Sequence, residues 1–234
     1  SDNPKGYFES TRIMEFNDKL LAAIGSDWQD IAPLDALWPG SPIYENFSQD
    51  AVTLLRSEFA EARLPLLKDP RHCRLVQFWS DAFCEVGYRV AYVHTHRNPF
   101  EVAESLNKRD GIPVEQALLI WLRHVLDAEA STRGASRFFT NYASQMDNWR
   151  EQSVLAEKTL GVGLDRNTRQ VEHQIDEFIE SKLWHQKLET VDLRGLPQAS
   201  QWVCDTYEIL ERWTGGAGTD ADSHKLDAIK CDFD

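Results

Sequence analysis

The sequence predicts an α/β protein in which helices flank a parallel sheet and helix outweighs strand. Three short segments rich in apolar or β-branched residues are followed by amphipathic segments, in the order strand, helix, strand, helices, strand, helix. That order is typical of parallel strands joined by right-handed crossovers. The 234 residues are 42% hydrophobic and include eight Trp, which indicates a compact core. We expect a single domain over residues 1–213 and a polar tail over residues 214–234.

The N-terminal part predicts two amphipathic helices. Apolar residues recur at helical spacing from Ser10 to Ile24. A loop rich in Pro, Trp and Asp follows over residues 27–42. The second helix is predicted over Ser48 to Leu64, with Ser48 as its N-cap.

Two strands are predicted next, with a helix between them. The apolar run Leu64–Leu67 ends at the turn residues Lys68-Asp69-Pro70-Arg71, which favours a short buried strand. A helix is predicted from His72 to Val86, and Gly87 is placed to end it. Tyr88–His96 is rich in β-formers and predicts the second strand.

The segment after this strand carries a strong helix start. Asn98 is a suitable cap, Pro99 takes the first helical position, and Glu101 has the capping-box spacing. Gly111 is expected to end this helix. The apolar stripe over Pro113 to Ala130 then predicts the most regular helix of the chain.

The remainder of the chain predicts one more strand and three helices. Gly215 and the residues after it are expected to be loose. The predicted elements are a strand over Arg137–Tyr142, a helix to Leu160, a turn over 161–165, and helices over 169–184 and 198–213.

The net charge of −13 argues against nucleic-acid binding, which requires a basic surface. No run of eighteen apolar residues and no basic-then-apolar leader occurs in the sequence, so neither a membrane span nor a signal peptide is predicted. The four Cys show no C-x-x-C spacing, and free thiols in a reducing compartment are the preferred interpretation. We therefore expect a cytoplasmic protein.

One strand end predicts an anion site. Arg97 follows a strand and precedes a capped helix, whose first N–H groups and partial positive charge favour anions. A guanidinium binds phosphate oxygens in a bidentate manner. Ser105 lies two helical turns further on and is placed to add a hydroxyl. The alternative is that Arg97 only forms a surface salt bridge.

Residues 94–106, HTHRNPFEVAESL, resemble the 3'-phosphate-binding segment of the sulfotransferases that use 3'-phosphoadenosine 5'-phosphosulfate (PAPS). In that family a strand ends in Arg, often as Arg-Asn-Pro, and a Ser follows eight positions later. Arg97 and Ser105 match both residue types and the spacing.

Further segments resemble bacterial sulfotransferase-like proteins, in the same order along the chain. They are NPKGYFES over residues 3–10, LKDPR over 67–71, KRDG over 108–111 before a Leu/Trp-rich helix, and a strand that ends at Tyr142. The resemblance extends over residues 1 to about 185.

The resemblance implies a P-loop NTPase-like fold and transfer of a sulfuryl group from PAPS to an acceptor hydroxyl. PAPS is the expected donor, adenosine 3',5'-bisphosphate (PAP) the product, and no metal is expected. The acceptor is expected to be a carbohydrate or a small metabolite; the oligomeric state is not indicated. The family also has a Gly-containing loop for the 5'-phosphosulfate. Nothing here matches it, so we expect that strand and loop to lie upstream of Ser1.

The resemblance also suggests roles in sulfuryl transfer, which requires a base and a cation at the bridging oxygen. Lys68 is the candidate cation, or else a solvated lysine at the end of a strand. Arg71 is expected to assist it at the donor, or else only to cap the sheet edge. Glu9 is the candidate base, or else a carboxylate that stabilises the following helix. Asp69 is a rival base or a turn-fixing residue, and His72 is a weaker rival.

Tyr142 is expected to contact adenine, as a Tyr near this place does in the cytosolic branch of the family; core packing is the alternative. His94 and His96 share one strand face, but no third metal ligand occurs at a suitable spacing. Residues 183–185 read LWH where relatives often carry LRH, which places a late basic contact in doubt.

Two other functions compete with the sulfotransferase interpretation. One is a non-catalytic nucleotide-binding or scaffold protein with the same fold. The other is a P-loop-type metabolite kinase, although that activity requires an acidic strand end for Mg²⁺ and no strand offers a clear one.

Overall fold

The computed structural model describes residues 9–35, 37–60, 62–164, 168–179 and 193–234. The chain divides into two compact units. The first comprises Ser1–Val90, Leu119–Gly134 and Lys230–Asp234, and the second comprises Ala91–Leu118 and Ala135–Ile229. Together they form a helix-rich α/β structure with a small parallel sheet.

The first unit is built on helices that bury aromatic side chains against one another. Its elements are α1 (Thr11–Ala23), α2 (Pro42–Phe59), a 3₁₀ helix (Pro70–Cys73) and α3 (Val76–Val86). Phe16 of α1 packs against Phe47 of α2 and Trp79 of α3, with ring centroids 5.6 and 5.4 Å apart. Such tilted and edge-to-face contacts are favourable beyond the apolar area they bury.

The N-cap of α2 lies seven residues before the predicted one, so the assignment of Ser48 was wrong. Ser41 is the N-cap: its side chain accepts a hydrogen bond from the backbone N–H of Tyr44, and Pro42 takes the first helical position. Ser48 lies inside the helix, where its hydroxyl donates to the carbonyl of Tyr44. A Ser followed by Pro is the better start signal, because Pro fixes a helical φ where its missing N–H has no cost.

The predicted strand Leu64–Leu67 is not formed, and this segment has no regular secondary structure. Leu66 is 82% exposed and Leu64 is 52% exposed, so the apolar run is not buried. Pro65 lacks the N–H that a strand would donate to its neighbour. The helix predicted from His72 to Val86 is also divided, into the 3₁₀ helix and α3; Gly87 ends α3 at a φ of 101°, as predicted.

The second unit contains two parallel strands, β1 (Tyr92–His96) and β2 (Arg137–Asn141). The pairing runs in register from Tyr92 opposite Arg137 to His96 opposite Asn141. Phe138, Phe139 and Thr140 of β2 are fully buried. The parallel arrangement of these two predicted strands is confirmed.

Helices flank this sheet. They are α4 (Pro99–Asp110), the start of α5 (Val114–Ser131), α6 (Tyr142–Leu160), α7 (Arg169–Phe178), α8 (Gln201–Trp213) and most of α9 (Asp220–Phe233). Trp213 of α8 packs edge-on against Phe139 at 4.9 Å. The backbone of Phe139 also forms two 2.8 Å hydrogen bonds, from its N–H to Gly216 and from Gly215 to its carbonyl.

The predicted ends of α4 are confirmed. The side chain of Asn98 accepts a hydrogen bond from the N–H of Phe100, Pro99 is the first helical residue, and Gly111 follows the helix at a φ of 72°. Tyr142 differs from its prediction, since it begins α6 and does not end the strand. Asn141 stops β2 because its side chain caps α6 by accepting from the N–H of Ser144.

Helix α9 lies where a loose tail was predicted. Its final residues belong to the first unit, where Arg123 pairs with Asp234 at 2.7 Å and Lys230 with Asp127 at 2.5 Å. The guanidinium of Arg123 also lies 4.5 Å from the ring centre of Phe233. These long-range contacts hold a segment whose composition alone reads as a polar tail.

Within the part of the chain that the structure describes, no helix is long and apolar enough to cross a membrane. The helix predicted over residues 169–184 forms over Arg169–Phe178, and its remaining positions from residue 180 lie outside the described residues. The four cysteines are all described, and no disulfide joins them.

The start of α2 can be tested with two serine variants. We expect Ser41→Ala to lower the free energy of unfolding by about 1 kcal/mol, because it removes the N-cap bond to Tyr44. Ser48→Ala is the matched control. It removes a hydroxyl from a helix interior, where Ala is favoured, and should change stability little. Urea unfolding followed by circular dichroism measures both, and a larger loss for Ser48→Ala would contradict the assignment.

Candidate functional site

The candidate site lies at the carboxyl ends of β1 and β2. The strands are parallel and their last residues, His96 and Asn141, stand opposite each other. The residues that follow, Arg97 and Tyr142, therefore emerge at the same edge of the sheet. In open α/β sheets this is the edge at which ligands bind.

Arg97 is held in a defined orientation. Its Nε donates to Oε2 of Glu101 at 2.6 Å, and its guanidinium carbon lies 4.8 Å from the ring centre of Tyr142. The first contact is a salt bridge within one turn of α4, and the second has cation–π geometry. The side chain is 29% exposed. Among the described residues, neither Nη1 nor Nη2 of Arg97 has a hydrogen-bond partner, so two donors remain for a ligand.

The helix start beside Arg97 adds one backbone donor. Asn98 accepts from the N–H of Phe100 at 2.9 Å and from that of Val102 at 3.2 Å, and Pro99 has no N–H, so within the described chain the N–H of Glu101 is the first-turn donor that remains. Glu101, which the sequence suggested as the second half of a capping box, instead accepts from Arg97. Ser105 lies on the exposed side of α4, and in the described part of the chain its hydroxyl has no hydrogen-bond partner.

A second group of polar residues at this edge was not found from the sequence. Nε2 of the buried His96 lies 2.7 Å from Oε1 of Glu211 on α8, which identifies Nε2 as the donor. Nδ2 of Asn141 donates to the same carboxylate at 3.0 and 3.2 Å. The three residues connect both strand ends to α8. Nδ1 of His96 is buried and has no hydrogen-bond partner among the described residues.

The environment fixes the charge of this group. Burial alone would raise the pKa of Glu211, but hydrogen bonds from His96, Asn141 and Tyr207 outweigh it and hold the pKa below its ordinary value. Burial, together with the nearby charges of Glu211 and Glu101, raises the pKa of Tyr207. Glu211 is therefore an anion at neutral pH, and Tyr207 is a neutral donor.

His94 and His96 each contact other side chains of the second unit. The ring of His94 stacks on Phe139 with centroids 4.4 Å apart and an angle of 13°. Burial, with smaller effects of Arg137 and His96, lowers the pKa of His94 to about 4, so the imidazole is neutral. In the described ranges no three His, Cys, Asp or Glu side chains are grouped to hold a metal ion.

The candidate base and cation of the first unit contact each other. Nζ of Lys68 donates to Oε1 of Glu9, which is a direct ion pair. Glu9 is 13% exposed and Lys68 is 57% exposed, so the lysine is the solvent-facing partner. Glu9 also directly precedes Ser10, the N-cap of α1, which is where its alternative role of stabilising this helix would apply.

Asp69 and Arg71 form a local structural unit. Oδ1 of Asp69 accepts from the N–H of Arg71 at 2.8 Å and from its Nη1 at 3.2 Å, so Asp69 caps the 3₁₀ helix. The carboxylate of Asp18 accepts from Nε and Nη2 of Arg71 at 2.5 and 3.3 Å. Two carboxylates thus engage Nε, Nη1 and Nη2, and a phosphate would have to compete with them. These contacts favour the turn-fixing interpretation of Asp69.

His72, the weaker rival base, faces the protein interior. Burial lowers the pKa of its imidazole to about 4, against the opposing effect of Asp69. Nδ2 of Asn17 lies 3.3 Å from its Nε2, and the indole of Trp79 meets its ring edge-on at 5.3 Å. Nε2 is therefore already an acceptor within the fold.

Lys68, Asp69, Arg71 and Glu9 belong to the first unit, whereas Arg97, Ser105 and Tyr142 belong to the second. Residues 3–8 of the NPKGYFES segment and the LWH segment at 183–185 lie outside the described residues. No family model matches this chain, and neither does any curated protein or solved structure. Any functional assignment consequently rests on the sequence and on the contacts given above.

The carboxylate that connects the strand ends can be tested by Glu211→Gln. Folding lowers the pKa of Glu211. The ionised carboxylate therefore stabilises the fold at pH values above its unfolded-state pKa, and this stabilisation is lost as the pH falls through the folded-state pKa. We expect Glu211→Gln to cost about 1 kcal/mol at pH 7, a value reduced by solvent screening. The loss should be smaller at about pH 3, below the ordinary glutamate pKa of about 4.3. Urea unfolding at both pH values measures it.

Glu208→Gln, on the same helix, is the matched control. It removes only an exposed salt bridge to Arg194 and should cost less than Glu211→Gln at pH 7. Equal losses for the two variants at neutral pH would contradict the role given to Glu211.

Proposed function

We propose that this chain belongs to a PAPS-dependent sulfotransferase and that Arg97 binds the 3'-phosphate of the donor. The observation that carries the proposal is the position of Arg97 at the carboxyl end of β1, before a capped helix, with Nη1 and Nη2 without partners among the described residues. The ordered resemblance of the sequence segments supplies the identity of the anion.

The surroundings of Arg97 support phosphate binding in particular. A guanidinium binds two phosphate oxygens through parallel N–H groups, and two such groups remain here. Glu101 occupies only Nε, so it restricts the rotation of the side chain without filling the fork. The N-terminus of α4 lies two residues after Arg97 and adds a partial positive charge there. Ser105, on the exposed side of α4, is the proposed additional donor.

Tyr142 supports the same assignment through its contact with Arg97. One face of its ring is covered by the guanidinium, so a proposed adenine contact would use the opposite face or the hydroxyl. The contact also disfavours the alternative of simple core packing, because a charged partner covers the ring.

The proposed reaction is in-line displacement at sulfur. The acceptor hydroxyl oxygen forms a bond to sulfur while the bond from sulfur to the bridging phosphate oxygen breaks, and PAP leaves with the electron pair. Glu9 takes the proton of the acceptor hydroxyl. Lys68 neutralises charge that develops on the bridging oxygen. In the structure the two side chains pair with each other, so the proposed roles require this ion pair to open when donor and acceptor bind.

The acceptor is proposed to be a hydroxyl of a carbohydrate or small metabolite, and the location is proposed to be cytoplasmic. Four cysteines without a disulfide support a reducing compartment. A non-catalytic nucleotide-binding protein is the second candidate. The observation that favours it is the same ion pair, because a closed salt bridge between Glu9 and Lys68 is also a stable structural contact.

Arg97→Ala in the full-length protein tests the phosphate site. We expect the affinity for adenosine 3',5'-bisphosphate to fall about 10- to 100-fold, because a charge-assisted bidentate contact is lost. Arg109→Ala is the control, since Arg109 lies in the last turn of the same helix, away from the strand end, and pairs with its neighbour Asp110. Calorimetry that gives equal affinities for Arg97→Ala and wild type would exclude Arg97 as the phosphate ligand.

Glu9→Gln tests the base. We expect turnover to fall by about 100-fold or more while donor affinity changes little, because proton transfer is lost and the side chain keeps its shape. Glu15→Gln, at an exposed position of α1, should leave both unchanged. Sulfate transfer and donor binding are measured separately. Unchanged turnover of Glu9→Gln would exclude Glu9 as the base.

A further inference from the structure

The first unit contains a cavity that the proposed function does not use. Its volume is about 210 Å³. Buried side chains of Tyr44, Leu75 and Phe78 form the apolar part of the lining, whereas Gln77 and Ser131 are exposed and form the rim. A buried apolar lining with a polar, solvent-facing rim is typical of ligand sites. The volume is below the range of drug-sized sites and suits a molecule with a single ring.

One wall of the cavity is charged. It is lined by Arg74, Asp127 and Lys230, so it presents two cations and one carboxylate. Asp127 lies between the cations: Oδ2 accepts from Nε of Arg74 at 2.7 Å, and Oδ1 accepts from Nζ of Lys230 at 2.5 Å. Asp30 and Asp234 also lie near these cations but do not line the cavity. The lining itself thus carries two cations and one carboxylate, and the neighbouring carboxylates balance the excess.

The two cationic side chains differ in how far they can move toward a ligand. Arg74 is fully buried and donates from Nη1 to the carbonyl of Asp30 at 2.5 Å and from Nη2 to that of Ala32 at 2.6 Å, in addition to Asp127. These two backbone carbonyls and Asp127 therefore occupy all three nitrogens of its guanidinium. Lys230 is partly exposed, has a flexible stem and carries three donors. Lys230 can turn toward a ligand while Asp127 keeps its bond to Arg74.

The aromatic part of the lining is neutral. Tyr44 donates its hydroxyl to Asp81. Burial and that hydrogen bond raise the pKa of Tyr44, so it stays a phenol. Its ring meets Phe78 edge-on at 5.2 Å, which leaves aromatic and aliphatic surface for a planar apolar group.

We propose that this cavity binds a small aromatic carboxylate, with the ring against Tyr44 and Phe78 and the carboxylate on the ammonium of Lys230. The size of the cavity and its apolar lining favour a single aromatic ring, and the ammonium of Lys230 in the lining favours a carboxylate on that ring. The proposal concerns a separate binding site and does not depend on the proposed sulfotransferase activity.

Calorimetric titration of the full-length protein with 4-hydroxybenzoate tests the proposal. We expect binding to wild type, with the uncharged 4-hydroxybenzamide about tenfold weaker because it lacks the carboxylate. Lys230→Met should weaken 4-hydroxybenzoate about tenfold as well. Lys225→Met is the matched control, because Lys225 is an exposed lysine of α9 that does not line the cavity, and it should bind as wild type does.

Ser131→Trp provides a second variant that does not remove a buried charge. Ser131 is exposed at the end of α5, so a Trp there fills the rim with little effect on folding, and binding should be lost. Thermal unfolding checks that each variant is folded. No binding to wild type, or equal binding by wild type, Lys230→Met and Ser131→Trp, would overturn the proposal. A failure to bind adenosine 3',5'-bisphosphate would instead count against the sulfotransferase assignment alone.

Discussion

The parallel pairing of β1 with β2 determines where the polar groups of the candidate site lie. Because both strands run in the same direction and end on the same pair, His96 opposite Asn141, every residue that follows them starts from one edge. Arg97 and Tyr142 meet at this edge for that reason. Glu211, from a helix far along the chain, then connects the two strand ends through His96 and Asn141. The strand register therefore positions a cation, a capped helix start and an anionic network together.

Carboxylates position the cations throughout this acidic protein. Glu101 holds Arg97, Asp18 and Asp69 hold Arg71, and Asp127 holds both Arg74 and Lys230. A paired cation is a poor ligand site if all its donors are used. The distinction between structural and binding cations then depends on the donors that remain. Arg71 and Arg74 are engaged at every guanidinium nitrogen, whereas Arg97 keeps two nitrogens and Lys230 keeps a flexible ammonium.

The sequence was sufficient for features that depend on neighbouring residues. The start of α4 at Asn98 and Pro99, its end at Gly111 and the end of α3 at Gly87 were all predicted, because capping is decided within a few residues. The same rules gave the wrong start for α2. Both Ser41 and Ser48 are suitable N-caps, and the helix begins after Ser41, which is followed by Pro42.

Features that depend on distant residues were not predictable. His96 and Glu211 are 115 positions apart, and nothing in either segment indicates the other. Part of the predicted tail forms α9, and Arg123 and Asp127 of α5 pair with its last residues. The run Leu64–Leu67 reads as a strand from its composition, yet a strand requires a neighbour that composition does not show.

The charge state of the histidines restricts how an anion can be bound at the strand ends. Burial keeps His94 neutral, and the Nε2 hydrogen of His96 is used by Glu211. Neither imidazole therefore offers an unpaired positive charge to a phosphate. Among the described residues of this edge, the donors that remain are the two Nη nitrogens of Arg97 and the backbone N–H of Glu101. A phosphate there would be recognised by directed hydrogen bonds and by one guanidinium, not by a broadly positive surface, which is consistent with a net charge of −13.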